Sequence, residues 1–210
     1  MNMSVAARTY SANEAACVTG VPVKQVHRII DAGLLEGAAP SVKRARALHR
    51  DGLVGLKLAH ETADVLTRDG RRRLVRYLLD HPDASTARAH DISVDLRSMR
   101  KQVRDGLARL AKARAAVSCD ETVLSGTPCI KGTRIPVHDI ADMLANGDSA
   151  DAVRKAFPQL LDDRVELAAL YARAYPRRGR PRRLPFRETR KPTISAVLSL
   201  DELPPARGSS

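Results

Sequence analysis

The sequence predicts a mostly α protein built from short, closely packed helices, and three observations predict it. Apolar residues recur at spacings of three and four along most of the chain. Ser, Pro and Gly stand where such runs begin and end. Aromatic bulk is nearly missing, with no Trp, 2 Phe and 4 Tyr among 210 residues, so Ala and Leu must fill the cores. A hydrophobic content of 43% suffices for ordinary cores. No apolar run approaches the ~18 residues of a membrane span, and the N-terminus lacks a secretory h-region and cleavage site. The expectation is a cytoplasmic protein with no membrane partner.

Residues 1 to 10 read as strand-like or unstructured, with Tyr10 as a first anchor. Ser11 and Glu14 have capping-box spacing, and Ala15 to Val18 continue a short helix that Thr19-Gly20 breaks. Pro22 suits the start of a second helix, whose stripe of Val23, Val26, Ile29 and Ile30 runs to Gly33. Two short helices joined by a glycine turn make a helix-turn-helix. With the stripe inward, Lys24, Gln25, His27 and Arg28 face outward, a mixture of base-edge donors and phosphate-binding cations. Lys43 and Arg44, with Arg46 and Arg50, lie where a wing would add phosphate contacts.

From Ala45 to Asp80 the pattern is helical, with Leu48, Leu53, Leu56, Leu58, Val65, Leu66, Leu74, Val75, Leu78 and Leu79 as buried positions. Arg71, Arg72, Arg73 and Arg76 form the wet face of this layer. His81-Pro82-Asp83 ends it, residues 83 to 91 read as a loop, and Ile92, Val94 and Leu96 alternate like a strand. A long amphipathic helix follows, with Met99, Val103, Leu107, Leu110 and Val117 on one side and Arg100, Lys101, Arg104, Arg109, Lys112 and Arg114 elsewhere. Its near-heptad stripe packs either within the protomer or against a symmetry mate, and we expect dimerisation through it or the domain after it.

No other segment concentrates special residues like Ser125 to Val137. Pro128 fixes one φ, and Gly126 and Gly132 supply positive φ values on either side of a short apolar strand at Cys129 and Ile130. Pro136 then opens a helix along Val137, Ile140, Ala141 and Leu144 that stops at Gly147. Ser149 caps a second short helix ended by Pro158, and Asp162 a third with Val165, Ala168, Ala169 and Ala172 inward. This bundle is helix-turn-helix-like, yet Asp162, Asp163 and Glu166 on its last helix repel phosphate, which assigns it to protein contact. Beyond Tyr175, residues 176 to 191 hold eight cations against Glu188, for 8 − 1 = +7 of the chain's +12. Rich in proline and poor in apolar residues, this stretch cannot fold alone. The apolar residues from Thr193 to Leu200 then call for a partner to cover them.

The signature Gly126, Pro128, Gly132, Thr133, Arg134 and Pro136, read as G-x-P-x-I-x-G-T-R-I-P-V with the helices after it, resembles the C-terminal domain of VapB-type antitoxins, the domain of unknown function 433 class. The segment from Tyr10 to Leu35 is similar to the DNA-binding helices of MerR-like and excisionase-like regulators. Together these resemblances imply a MerR-like domain and helical layer over 1–82, a connecting strand and amphipathic helix over 83–119, the antitoxin domain over 120–176, and a tail over 177–210. They imply an antitoxin of a type II toxin–antitoxin system, a likeness whose partners are operator DNA, a PIN-like ribonuclease toxin and a second copy of the chain. PIN-like nucleases hold metal ions in a carboxylate cluster, a target for Arg177, Arg178, Arg180, Arg182 or Arg183. Leu184 and Phe186 would fill apolar pockets beside it, and Ile194 and Leu198 would lie on a strand added to the toxin's sheet.

Other classes fare worse. Cys17, Cys119 and Cys129 show neither disulfide nor zinc spacing, so no metal site is expected. The chain has no P-loop, dinucleotide fingerprint, H-E-x-x-H or G-x-S-x-G, and no catalytic residue or cofactor is assigned. A stand-alone MerR-like transcription regulator is the alternative, but it leaves the basic arm and the apolar segment after it without a use.

Overall fold

The computed structural model describes residues 8–36, 41–42, 45–160 and 163–177. The chain is mostly helical, with eight helices and seven short strands among those residues. Strand β1 (Tyr10–Ser11) leads into α1 (Ala12–Thr19) and α2 (Val23–Asp31). Strands β2 (Ser41–Val42) and β3 (Ala45–Leu48) follow, then α3 (Arg50–Glu61) and α4 (Arg68–Asp80). Next come the hairpin β4 (Thr86–Ala89) and β5 (Ile92–Asp95), and the 19-residue α5 (Arg97–Ala115). Strands β6 (Val117–Ser118) and β7 (Cys129–Ile130) precede α6 (Val137–Ala145), α7 (Ala150–Ala156) and α8 (Arg164–Ala174).

Local chemistry places the first two helices. The Ser11 hydroxyl accepts from the Glu14 amide at 3.3 Å while the Ser11 amide donates to Glu14 Oε2 at 2.8 Å, the reciprocal capping box. Gly20 closes α1 in the left-handed region at φ 75°, and Pro22 starts α2 two residues later. All four strand pairings are antiparallel, in three sheets: β1-β3-β2, β4-β5 and β6-β7.

Two hydrophobic cores result. The larger joins Ala15, Val18, Val26 and Ile29 to Leu53, Leu56 and Leu58 of α3, Leu74 and Leu78 of α4, and Met99, Val103 and Leu110 of α5. The amphipathic stripe of α5 is therefore buried within the protomer, but Val117, expected to continue it, lies past the helix end in β6, where it pairs with Ile130. A smaller core gathers Ile130, Ile135, Val137, Ile140, Val153, Leu160, Val165 and Ala168. Helix α8 serves both, because Val165 and Ala168 face the second core while Ala174 reaches the first.

Several expectations are corrected. Leu48 is not helical; it ends β3 opposite Tyr10, fully buried, since pairing with β1 satisfies its backbone as well as a helix would. Val65 lies in the turn between α3 and α4 and is 82% exposed, and Val23, in the first turn of α2, is 36% exposed. Residues 83 to 91 contain a strand, β4, whose Ala87 and Ala89 tuck under α4; alternating alanines are too weakly apolar to signal it. Asp163 occupies the N-cap of α8 without a side-chain bond, and Asp162 lies outside the described residues. On α8, Leu170 is buried and Ala169 only half-buried.

Two glycines are needed for different reasons. At Gly106 on α5, an added Cβ would lie 2.2 Å from the Val18 carbonyl oxygen of α1, so the helices touch backbone to backbone. At Gly132 a Cβ would meet nothing within 4 Å, but φ is 80°. Gly106→Ala should therefore destabilise by about 3 kcal/mol through overpacking, and Gly132→Ala by about 1–2 kcal/mol through backbone strain. Asparagine, which tolerates the left-handed region, should recover stability relative to alanine at 132 and lose more at 106, as read from urea denaturation midpoints.

Candidate nucleic-acid interface and the root of the basic tail

The turn between α1 and α2 is held from both sides. Thr19 Oγ1 donates to the Ala15 carbonyl at 2.7 Å and accepts from the Val21 amide at 3.3 Å. From α3, the buried Lys57 donates to the Thr19 carbonyl at 3.1 Å and pairs with Glu61 at 2.8 Å. A cation at the C-terminal carbonyls of α1 also suits the helix dipole. Lys57 was not among the candidates, although a lone lysine inside the apolar run Leu53–Ala59 was the available signal.

On α2, Val26 and Ile29 are buried, and the outward side carries exposed Lys24 and Arg28 with half-buried Gln25 and His27. Neither Lys24 nor Arg28 has an ion pair or side-chain hydrogen bond, so both cations face solvent unneutralised. Arg50, exposed in the first turn of α3, is likewise unpaired. Lys43 and Arg44 lie outside the described residues. The α4 arginines differ: Arg71 donates to the Ala59 carbonyl at 3.3 Å, Arg73 contacts His90, and Arg72 and Arg76 pair with Asp69 and Asp80.

The last described residues are bound to the body at three points. Glu14, 5% exposed, accepts from the Tyr175 hydroxyl at 2.5 Å and from the Arg114 guanidinium through its Oε1. The Tyr175 carbonyl accepts from His138 Nε2 on α6 at 2.9 Å. Arg177 then pairs with Asp139 and, at 3.2 Å, with Asp142 on the exposed side of α6. Within the proposed toxin-binding set, Arg177 is the described member; Arg178, Arg180, Arg182, Arg183, Leu184, Phe186, Ile194 and Leu198 lie outside the described residues. The Glu14–Arg114–Tyr175 triad has no local sequence signal, since its members lie 100 and 161 positions from Glu14.

The signature folds as its glycines and prolines demand. Gly126 and Gly132 take φ of 75° and 80° on either side of β7. Thr133 ties its loop, donating through Oγ1 to the Ile130 carbonyl at 2.8 Å and accepting from the Ile135 amide at 3.2 Å. Pro128 offers its carbonyl to the Val137 amide at 3.0 Å, and Pro136 is the N-cap of α6. Arg134 is exposed and makes no internal hydrogen bond or ion pair.

Burial, the hydrogen bond to Glu14 and the Glu14 charge push the Tyr175 hydroxyl well above the ordinary tyrosine range. The neutral form is the one the fold retains, so its contribution is complete below the unfolded value of about 10 and is lost as pH rises past it. Tyr175→Phe should cost roughly 1–3 kcal/mol at pH 7, the range of a hydrogen bond to a charged group. In denaturation series run from pH 8 to 11, wild type should lose stability relative to the variant across the upper part of that range.

A family model described as a protein of unknown function, DUF433, matches residues 117–172. The uncharacterized protein y4eO of Sinorhizobium fredii is 30% identical over 198 residues, covering 86% of this chain and 88% of that protein. No solved structure matches. The chain belongs to the same family as y4eO, with a DUF433 domain built from β6, β7 and α6 to α8.

Proposed function

We propose that the protein is a type II antitoxin that represses its own operon through α1 and α2 and neutralises a PIN-like ribonuclease with its C-terminal tail. The observation that carries the DNA reading is the unpaired state of Lys24 and Arg28 beside Gln25 and His27 on one face of α2. Solvated cations with no internal partner are free to release counterions on meeting phosphate, and Gln25 is of the right chemistry to read adenine. In this reading α1 and α2 are a MerR-like helix-turn-helix and β2–β3 its wing.

The helices α6 to α8 are, in the same reading, a helix-turn-helix-like unit for dimerisation and protein contact. Glu166 on α8 pairs with Arg154 at 2.5 Å, and Asp163 adds a second acid at the helix start, so this face would repel a phosphate backbone. The tail reading is supported by the +7 of residues 176 to 191, counted as eight cations less Glu188, and by the apolar segment beyond. Arginine forks suit the carboxylate cluster of a metal-dependent nuclease.

A stand-alone regulator would use the same α2 face, so two measurements separate the readings. Lys24→Ala and Arg28→Ala should each weaken binding to the protein's own upstream DNA and lower the salt slope by about 0.9. Gln25→Ala should relax base preference instead. Unchanged affinity of the double Lys24/Arg28 variant at two salt concentrations would overturn the DNA reading. Co-expression with the neighbouring reading frame should yield a complex that a chain ending at Arg177 cannot form, while that shortened chain still binds DNA. A shortened chain that inhibits the nuclease as well as the full one removes the tail from the mechanism, and the absence of any nuclease partner leaves the plain regulator.

A further inference from the structure

The DUF433 signature builds a cleft that neither the DNA reading nor the tail reading uses. Its volume is about 490 Å³, and Asp120, Val123, Cys129, Gly132, Thr133 and Arg134 are among its lining residues. One wall is the Ile130–Ile135 loop, closed by Thr133, which leaves the Lys131 and Arg134 side chains exposed and without internal partners. Asp120 also lines the cleft, and its Oδ1 accepts from the Thr122 amide at 2.8 Å and from its hydroxyl at 2.7 Å. Both bonds hold the Asp120 carboxyl below its ordinary range, so it stays charged.

Beyond Asp120 the chain makes a left-handed turn. Leu124 and Ser125 take φ of 47° and 53°, ahead of Gly126 at 75°. Left-handed conformations are costly for residues with a Cβ, and such outliers persist where the surroundings over-determine them. The turn presents Leu124 at 51% exposure directly after the cleft residue Val123. An exposed apolar side chain on a left-handed turn, next in sequence to a residue that shares the cleft with the unpaired Arg134, has the composition of a protein contact rather than of a solvated loop.

We propose that this cleft docks an extended segment of a partner protein, taking an aspartate or glutamate carboxylate on Arg134 and a neighbouring aliphatic side chain against Val123 and Leu124. Arg134 can engage a carboxylate through two parallel N–H donors. The Asp120 charge, and Glu121 lying against Gly126, make a continuous phosphate backbone an unfavourable occupant, because its many charges would meet these acids while only Arg134 and Lys131 offset them. This docking does not depend on the antitoxin reading, since it concerns a surface distinct from α2 and from the tail.

The test uses the full chain in 0.3 M salt, which screens the basic tail. Its probes are fluorescein-labelled, terminally blocked heptapeptide pools that carry a central Asp and one Leu at varied distance. Anisotropy should show binding that falls at least tenfold when the pool's Asp is replaced by Asn or when the protein carries Arg134→Gln. Leu124→Ser should weaken it several-fold, and Lys24→Ala should leave it unchanged. Arg134→Glu should exchange the preference, binding a pool with Lys in place of Asp, a result that a merely unfolded variant cannot give. The inference is overturned if no pool binds, if Arg134→Gln binds the Asp pool as wild type does, or if free aspartate competes as well as the peptides. It also falls if duplex DNA displaces the peptides and itself loses affinity in Arg134→Gln, because the site would then serve nucleic acid.

Discussion

The contact on which the rest depends is the crossing of α1 and α5 at Gly106. Where a side chain would stand, the Val18 carbonyl lies instead, so the two helices meet at backbone distance. That approach fixes the register between them, and the register brings Glu14, one turn earlier on α1, to Arg114 further along α5. Helix α1 is thereby pinned near its N-terminus by a charge pair and at its C-terminus by Lys57. Both charges also suit the helix dipole, an acid in the first turn and a cation beside the last carbonyls. Because only Gly20, Val21 and Pro22 separate the helices, α2 inherits its direction from α1, and so do Lys24 and Arg28.

A strongly basic chain needs a way to tell working cations from structural ones, and internal pairing supplies it. Arg71, Arg73, Arg100, Arg114, Arg154 and Arg164 spend donors on the protein's own carbonyls or side chains. Moving any of these to a phosphate would first break a contact, which offsets the gain. Lys24, Arg28 and Arg134 have no internal contact to break, so an incoming anion meets only their loss of hydration and side-chain freedom. Position decides what each free cation meets. Those on α2 stand with Gln25 and His27, whereas Arg134 shares its cleft with Asp120, whose charge disfavours a polyanion.

Features legible in the sequence were those whose cause is local. Ser11 with Glu14, Gly20 before Pro22, Pro136 and Ser149 each set a boundary through bonds to residues within four positions, and each boundary stands where the spacing put it. The inward positions of α5 were legible for a similar reason, since one helix face repeats every three or four residues. What was hidden is long-range. Leu48 is a strand residue because Tyr10 pairs with it, and Ala87 and Ala89 form a strand because α4 covers them. Of the candidate site, the outward cations of α2 followed from the stripe, whereas Glu14 read only as a cap, although its second carboxylate oxygen serves Arg114 and Tyr175.

Those long-range bonds mean that head and tail root are not separable at an arbitrary residue. Tyr175 contributes its hydroxyl to Glu14 on α1 and its carbonyl to His138 on α6, so a cut at Ala174 removes a partner from a buried carboxylate in the head. Glu14 keeps Arg114 and the Ser11 amide, but the loss of one hydrogen bond to a buried carboxylate still costs free energy. DNA binding lost on such a cut would therefore report a weakened α1, not a tail that touches DNA. The two Arg177 bonds to Asp139 and Asp142 are exposed and individually weak, and they tie the last described residue to α6. Arg177 is thus a cation that the body already pairs, unlike Lys24 and Arg28.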